Sequence, residues 1–354
     1  MSALRIISAP DFARFRDVLL LKRAVKRPPL FDFHIAPAHK SAVLGRPYEG
    51  PRDDAEFFRF AGYDYVQMTF GIPHTELIEA EHAEQQRQAT QTRGIHSRVI
   101  QSYEHFRSRR WSWFDAAEGN LAAVTDRLQC LENLAKLDLH GMKIMYHTAD
   151  IFTLAWMMIG FDEFCLASVE QPEYIDAVMG SLAQAAENIT RRAIEIAGNE
   201  IGVFLYSDDI AYTEGLMLSP EFFRKHLFPA MGRLTALLAK IDAPTIYHSD
   251  GRLFQVFDDL AAIGIRGIQP LEPKSMDPLE IKRNWPGKFC LAGNIDLDLM
   301  CRGTPEQVEA HVREKIDRLN VNGGYMPGVS NTVPFYVKTE NYLRMIETVY
   351  SYTL

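Results

Sequence analysis

His248 and Asp250, which are separated by one residue and followed by Gly251, have the residue types of a catalytic or metal-binding site. Imidazole nitrogens and carboxylate oxygens both bind divalent metals, and an adjacent carboxylate can also orient an imidazole for proton transfer. Because alternate residues of a strand point to the same side, both side chains would reach one space at a strand end. We interpret this pair as the centre of the functional site, either as metal ligands or as acid–base groups.

Other acids, histidines and amides follow other short apolar runs and are further candidates. Asp208 and Glu272 join His248 and Asp250 as candidate catalytic residues. The candidate substrate-binding residues lie in or next to the end of an apolar run, and they are Asp32, Phe33, His34, His147, Tyr206, Tyr247, Asn294 and Asn331. Acids and histidines that converge on one space suit metal binding or general acid–base chemistry.

Several of these residues also have a purely structural interpretation, which the sequence leaves open. Asp209 could have the merely structural role of capping a loop or pairing with an arginine, and Glu272 could hold a loop through backbone N–H groups. His34 and His147 could be core histidines bonded to the backbone, and the aromatic candidates could simply fill the core.

The elements that would position these residues are short apolar runs that alternate with amphipathic segments. Eight runs are too short for helices and are rich in β-forming residues or bounded by turn residues. They lie at 29–33, 65–70, 142–147, 203–207, 245–248, 267–269, 289–292 and 324–326. Helical spacing is clearest at 220–241, after the N-cap residue Ser219, and at 304–319, where Thr304 and Gln307 form a capping-box pattern.

Alternation of strands and helices predicts a parallel sheet, and eight strands predict closure into a (β/α)8 TIM barrel. The active site of such a barrel lies at the carboxyl ends of its strands. We expect a single domain over 1–354, with a helical lead-in at 1–28 and a long insertion after the second strand at 72–125. The sequence leaves open whether the insertion is a lid or a cover for the other end of the barrel.

Charge and composition limit the partners of the protein. The formal net charge of −8 argues against nucleic acid or an anionic membrane surface as the main partner. The N-terminus carries charges throughout, and no apolar run approaches the ~20 residues that a membrane span needs. The four cysteines form no CxxC pair, so we expect reduced thiols and a cytoplasmic location.

Several motifs occur in the order expected for one family of barrels. They are SDDIAYTEGLMLSPEFFRKHLFP at 207–229, HSDG at 248–251, PLEP at 270–273, AGNID at 292–296 and GFDEF at 160–164. On these motifs the chain resembles the uroporphyrinogen decarboxylase superfamily, over roughly residues 140–345. The resemblance implies a homodimer. It also implies one of two activities: uroporphyrinogen decarboxylation, or methyl transfer to or from corrinoid proteins or coenzyme M.

The N-terminal region favours the methyltransferase branch. Uroporphyrinogen decarboxylases share an arginine-rich motif there, and guanidinium groups suit a substrate with many carboxylates. The corresponding segment, 30–39, reads LFDFHIAPAH and contains no arginine. The branch resemblance therefore implies transfer of a methyl group from a small methoxylated or methylated compound to a corrinoid carried by a separate protein.

The resemblance also bears on the metal. The zinc methyltransferases of the superfamily have a His-x-Cys pair and a distant cysteine; here Asp250 follows His248 in place of the first cysteine, and Asn331 lies near the second. The sequence therefore leaves open whether Zn²⁺ binds, with His248 and Asp250 as the ligands and Asp208 or Glu272 as further candidates. Such a harder site suits an oxygen substrate better than a thiol. The alternatives are a decarboxylase with another substrate and a binding barrel without catalysis.

Overall fold

The computed structural model describes residues 9–88 and 98–352, which form an α/β fold around one parallel sheet. Its strands, in spatial order, are β1 (Tyr65–Phe70), β2 (Lys143–Ala149), β3 (Ile201–Ser207), β6 (Thr245–His248), β7 (Ile265–Gln269), β8 (Cys290–Ile295) and β9 (Tyr325–Val329). Two short strands, β4 (Ala211–Tyr212) and β5 (Gly215–Leu216), form a separate antiparallel pair after β3. Seven of the eight predicted runs coincide with strands of the main sheet, and the predicted parallel pairing is confirmed.

Helices connect the strands and pack around the sheet. They are α1 (Phe12–Leu19), α2 (Pro37–Leu44), α3 (Asp54–Ala61), α4 (Thr75–Gln88), α5 (Tyr103–Ser108), α6 (Phe114–Ala117), α7 (Thr125–Ala135), α8 (Ile151–Ile159), α9 (Phe161–Glu170), α10 (Pro172–Ala197), α11 (Pro220–His226), α12 (Phe228–Ala239), α13 (Phe257–Ala262), α14 (Pro278–Asn284), α15 (Leu297–Arg302), α16 (Pro305–Leu319) and α17 (Thr339–Tyr350). Short 3₁₀ turns lie at Pro51–Asp53, Ala122–Val124, Gly198–Glu200 and Phe254–Val256.

The two predicted helix starts are confirmed, but the helix predicted at 220–241 is divided into two helices. Ser219 caps α11, and Thr304 and Gln307 form the capping box of α16. The segment 220–241 breaks between α11 and α12, next to Pro229. A proline inside a helix removes one backbone hydrogen bond and clashes with the preceding turn, so it ends or kinks the helix.

The predicted first strand, 29–33, is not a strand, and the segment instead links the two edges of the sheet. The Phe31 N–H donates to the Pro327 carbonyl of β9 (3.0 Å), and a single parallel bridge joins Ile35 to Val333. The Asp32 N–H donates to the Tyr65 hydroxyl of β1 (2.9 Å). His34 has a positive φ of 49°, outside the strand region, and the Tyr65 and Asp32 side chains take the place of backbone partners in this segment.

We call this link, residues 30–35, the seam. Because it contacts both β1 and β9, the sheet must be strongly curled. Gly328 of β9 lies so close to the seam that a Cβ atom there would meet the Phe31 carbonyl oxygen at 1.7 Å. The close approach of the two backbones therefore requires glycine at this position.

The predicted helical lead-in contains α1, which covers the amino ends of the strands. The Phe12 N–H donates to the Gly141 carbonyl, just before β2 (3.1 Å), and Arg14 pairs with the buried Asp64, just before β1 (2.6 Å). The Phe15 ring packs edge-on against Tyr65 at 5.4 Å. Since α1 closes this end, the carboxyl ends of the strands form the other end, which we call the mouth.

The described part of the predicted insertion contains α4, α5 and α6. Its second half packs on the flank of α10, where Trp113 Nε1 donates to Ser181 Oγ (2.9 Å) and Asn188 Nδ2 donates to the Ala116 carbonyl (2.9 Å). Residues 89–97 of the insertion lie outside the described residues. Its interpretation as a lid stays a prediction.

No single helix within residues 9–88 and 98–352 has both the length and the apolar character of a membrane span. Together α8 and α9 reach that length and composition, but the pair bends by 101° at the break between them.

Candidate active site

Three side chains converge at the mouth, on the loops that follow β3 and β6. His248 Nε2 lies 3.8 Å from Asp209 Oδ1 and 3.9 Å from Asp250 Oδ1. The potential ligand atoms of the three residues all lie within 4.8 Å of one another. The imidazole is buried, with 9% of its side chain exposed, whereas the two carboxylates are 45% and 35% exposed. We call Asp209, His248 and Asp250 the mouth cluster.

A hydrogen bond orients the side chain of each member of the mouth cluster. The Gln269 side chain, at the end of β7, presents Oε1 to His248 Nδ1. Asn331 Nδ2 lies 3.0 Å from both carboxylate oxygens of Asp250. Asp209 Oδ1 accepts from the Asp250 N–H at 2.9 Å. The three groups are therefore oriented toward a shared space.

The turn after Asp250 depends on glycine. Gly251 has a φ of +84°, and a Cβ atom there would meet the carbonyl carbon of Ala211 at 2.6 Å. Its N–H donates to Glu272 Oε2 (3.0 Å), which also accepts from the Ser275 hydroxyl (3.1 Å). Glu272, a predicted catalytic residue, thus holds the loop of the mouth cluster.

An aromatic group borders the mouth cluster on the seam side. The Phe33 ring lies 4.6 Å from the His248 ring and 5.7 Å from the His147 ring. The exposed His34 ring lies 5.1 Å from His147. The structure therefore brings these three predicted substrate-binding residues together beside His248.

His147 is neutral in this environment. Its Nε2 lies 3.0 Å from Ser207 Oγ and its Nδ1 lies 3.2 Å from Thr69 Oγ1. Burial lowers the pKa of His147 well below its ordinary value, and the neighbouring His34 and His248 lower it further. A neutral imidazole fixed by two hydroxyl groups offers hydrogen bonding and ring contact to a substrate rather than charge.

Asp208, predicted to be catalytic, does not point into the mouth. Its carboxylate accepts from the Phe152 and Thr153 N–H groups at the start of α8, both at 2.8 Å, and from the Tyr206 hydroxyl at 2.8 Å. It is fully buried, and burial raises its pKa to about 6 against the opposing effect of these hydrogen bonds. Asp208 therefore caps a helix from the neighbouring strand.

The predicted substrate-binding tyrosines also lie outside the mouth. Tyr206 and Tyr247 are buried and stack on each other at 6.1 Å. The Tyr247 hydroxyl donates to the Asp208 carbonyl at 2.7 Å. Successive strand residues face opposite sides of the sheet. Because Ser207 and His248 face inward, the neighbouring Tyr206 and Tyr247 rings pack outward, toward the helices.

Two more predicted substrate-binding residues are buried in structural contacts. Asp32 accepts from the Tyr63 hydroxyl (2.6 Å) and from the Val329 N–H of β9 (2.8 Å), and burial raises its pKa to about 7. Asn294, with a positive φ of 68°, donates to the Leu271 carbonyl (2.6 Å). Both fix the backbone, and neither was recognisable as structural from its position in the sequence.

Asp250 keeps its proton more readily than an ordinary carboxylic acid. Burial is the main cause and raises its pKa to about 6; the negative charges of Asp209 and Glu272 raise it as well, while His248 and Asn331 oppose the shift. The site therefore contains a carboxyl group that exchanges a proton near neutral pH in the absence of a bound cation.

Sequence reasoning missed two residues of this site. Asp209 was considered but also had a structural interpretation and was not chosen, and Gln269 was seen only as the end of a run. For Gln269 a signal existed, because β6 and β7 are neighbours and His248 pairs in register with Gln269. For Asp209 the sequence offered only the adjacent pair of acids, which does not tell which one faces the mouth.

The donor set of the mouth cluster fits a divalent cation. Two carboxylate oxygens and one imidazole nitrogen converge, and the absence of a thiolate makes the set harder than a zinc–thiolate site. The open acids leave room for further ligands, such as an oxygen atom of a substrate. This arrangement can bind a metal or exchange a proton with a ligand in the mouth.

The chain belongs to the uroporphyrinogen decarboxylase (URO-D) family, whose model matches residues 108–352. The match covers β2 to β9 and all members of the mouth cluster, and it confirms the resemblance found in the motifs.

Two individual proteins that are similar to this chain are described as methyltransferases. The chain is 25% identical over 143 residues to the methylcobamide:CoM methyltransferase MtaA of Methanosarcina barkeri, an alignment that covers 40% of each protein. A methyltransferase from Methanosarcina mazei has a similar fold, with a TM-score of 0.63 and 16% identity, over 95% of this chain and 97% of that one. The second comparison concerns the fold alone.

Proposed function

We propose that this protein is a methyltransferase that takes a methyl group from a small methoxylated or methylated compound and delivers it to the corrinoid of a separate protein. The single observation that carries the proposal is the mouth cluster, a metal-capable set of Asp209, His248 and Asp250 at the mouth of a URO-D-family fold. The partial similarity to a methylcobamide:CoM methyltransferase supports the same branch of the family.

The charged groups at the mouth bear on which substrate charge the site would accept. Among the described residues, the side chains that interact with the mouth cluster are carboxyl, amide, imidazole, phenyl and phenol groups, without a guanidinium or ammonium group. A bound divalent cation would offset the two carboxylates, and these side chains add no further positive group for a substrate with several negative charges. The oxygen-rich donor set is also a poor match for a thiolate. We therefore propose a neutral donor with an oxygen-linked methyl group, and we disfavour both porphyrin decarboxylation and an anionic thiol.

The residues of the mouth would divide the work as follows. The mouth cluster would hold a divalent cation, which supplies polarisation of the departing oxygen. Phe33 and His147 would border the donor, and His34 would lie at the exposed edge. Without a cation, the raised pKa of Asp250 suits it to give a proton to the departing oxygen. The corrinoid partner supplies the nucleophile for the methyl carbon.

Spectroscopy with a corrinoid tests the proposal. The protein is mixed with cob(I)alamin and a panel of methoxylated and methylated compounds, and methylcobalamin formation is followed by absorbance. We expect protein-dependent formation with at least one neutral donor, abolished by His248→Ala. An active preparation that decarboxylates a carboxylic substrate, and transfers no methyl group in this assay, would refute the proposal in favour of a lyase.

We also propose the homodimer that the family resemblance implies. Light scattering of the purified protein measures it directly, and a mass near that of one chain would contradict it.

A further inference from the structure

The mouth cluster has a geometry that its members alone do not explain. His248 Nε2 is almost equally distant from Asp209 and Asp250, at 3.8 and 3.9 Å, which is too long for a hydrogen bond to either. Two ligands bound at about 2.1 Å to one cation lie roughly 3 to 4.2 Å apart, depending on the angle between them. The separations therefore suit donors that share a cation better than donors that bond to one another.

Gln269 contacts the nitrogen of His248 that lies away from the two carboxylates. Its Oε1 contacts His248 Nδ1, while its Nε2 has no hydrogen-bond partner among the described residues; with the amide in this orientation the carbonyl oxygen accepts, so the ring proton lies on Nδ1. The lone pair of the ring then lies on Nε2, on the side of Asp209 and Asp250. Gln269 is fully buried, as a group that sets a tautomer without touching solvent should be.

Asn331 determines the direction of the Asp250 carboxylate. The Asn331 amide cannot be turned over without loss, because its Oδ1 accepts from the Thr332 N–H at 2.7 Å. Its Nδ2 therefore faces Asp250, at 3.0 Å from each carboxylate oxygen. Asn331 was predicted to bind substrate, and its contacts in the structure are to a member of the mouth cluster.

We infer that Gln269 and Asn331 are positioning residues, which hold His248 and Asp250 so that these two and Asp209 present three donor atoms to one divalent cation. The inference rests on the proposed function, because it concerns the same site, but it makes a separate claim about metal affinity. Groups that orient metal ligands from behind typically change metal affinity 10- to 100-fold when they are removed.

Calorimetric titration of the full chain with Zn²⁺ and with Mn²⁺ tests the inference. We expect about one cation per wild-type chain and a 10- to 100-fold weaker affinity in Gln269→Leu and in Asn331→Leu, which keep side-chain volume but remove the hydrogen bond. Gln269→Glu keeps the acceptor for Nδ1 and should retain affinity within a few-fold of the wild type. A merely structural role for Gln269 would not predict this rescue.

Asn320→Ala is the matched control. Like Asn331, Asn320 donates from its side-chain amide, here to the backbone carbonyl of Val25 at 2.7 Å, but it lies just before β9, at the amino ends of the strands. Its removal should leave metal affinity unchanged. Circular dichroism and thermal melting of each variant show that the fold is intact.

Two outcomes would overturn the inference: a wild-type chain that binds neither cation, or folded Leu variants that bind as tightly as the wild type. The fate of the proposed function is measured separately by methyl transfer. Protein that binds the cation in the expected variant order, but transfers no methyl group, supports the positioning role and refutes the proposed function alone.

Discussion

Asp208 and Asp209 are neighbours in the chain, yet they belong to two different regions of the molecule. Asp208 points behind the sheet, is fully buried, and accepts from two backbone N–H groups and a tyrosine hydroxyl. Asp209 points into the mouth, is 45% exposed, and accepts from one backbone N–H while facing His248. A carboxylate whose partners are all protein groups stabilises the fold, whereas one with free capacity is available to a ligand.

The same contrast separates the seam from the mouth. Asp32 and Asp250 both have raised pKa values because both are buried to a large extent. Asp32 is enclosed by Tyr63 and the backbone of Val329, whereas Asp250 opens toward the mouth beside His248. A perturbed pKa alone therefore does not identify a catalytic group. The hydrogen-bond partners of the carboxyl group show whether it is enclosed by the protein or open to a ligand.

Asp208→Ala should cause the largest loss of stability. It leaves two buried N–H groups and one hydroxyl without an acceptor, at about 1 to 3 kcal/mol each, so we expect the free energy of unfolding to fall by at least about 3 kcal/mol. Urea denaturation measures it. Asp209→Ala is the control and should change the free energy of unfolding by less than about 1 kcal/mol. Equal losses from both variants would abolish the comparison.

His248→Ala and Asp250→Ala should each reduce methyl-transfer turnover by about 100-fold or more, the scale of losing a positioned acid–base group. The double variant should be little worse than the more damaged single one, because the two residues act as a unit. Steady-state rates with an established donor measure this. Near-normal rates in both single variants would show that the mouth cluster is not the active site.

Asp32→Asn should remove part of the pH dependence of stability. The folded-state pKa of Asp32, about 7, exceeds the value near 3.9 of an unfolded chain. Between these values the folded protein keeps a proton that the unfolded chain has released, so stability falls as pH rises toward 7 and then levels off. We expect this group to cost the wild type roughly 2 to 3 kcal/mol between pH 5 and pH 8.

Urea denaturation of both proteins at pH 5 and pH 8 isolates the contribution of Asp32 as a difference of differences. A wild-type curve and an Asp32→Asn curve that change in parallel with pH would mean that the buried carboxylate does not take up a proton.

Glu272→Gln should have the smallest effect. Glutamine retains an oxygen for the Gly251 N–H and the Ser275 hydroxyl, so we expect a change below about 1 kcal/mol in the free energy of unfolding. Metal affinity should stay within a few-fold of the wild type if Glu272 only supports the loop. A loss as large as that of Asp250→Ala would make Glu272 a ligand.

The strands and the end of the sheet that carries the site were predictable from the sequence, because apolar runs and caps are local signals. Seven runs became strands, and Ser219 and Thr304 begin the expected helices. The run at 29–33 was misleading, since buried apolar residues look alike whether or not the backbone forms a ladder. Its hydrogen bonds run partly through Asp32 and Tyr65, and no sequence pattern specifies such pairing.

The details of the site were harder to predict because the direction of a side chain depends on strand register and on the turns that follow. Alternation within β6 correctly predicts that His248 faces the inside of the sheet. It also puts Tyr247 on the outside, although Tyr247 was predicted to bind substrate. Beyond the last strand residue, alternation no longer applies, so Asp208 and Asp209 could not be distinguished. Gln269 required the pairing of β6 with β7.

The spacing between the seam and the edge strands of the sheet depends on side chains as well as on the backbone. Adjacent strands in a sheet are held about 4.8 Å apart by their backbone bonds, whatever their side chains. Across the seam the spacing is set partly by the length of Asp32 and of the tyrosine Tyr65 that contacts it. We therefore expect a substitution at either position to shift the seam relative to β1 beside Phe33 and His34 while every strand keeps its register.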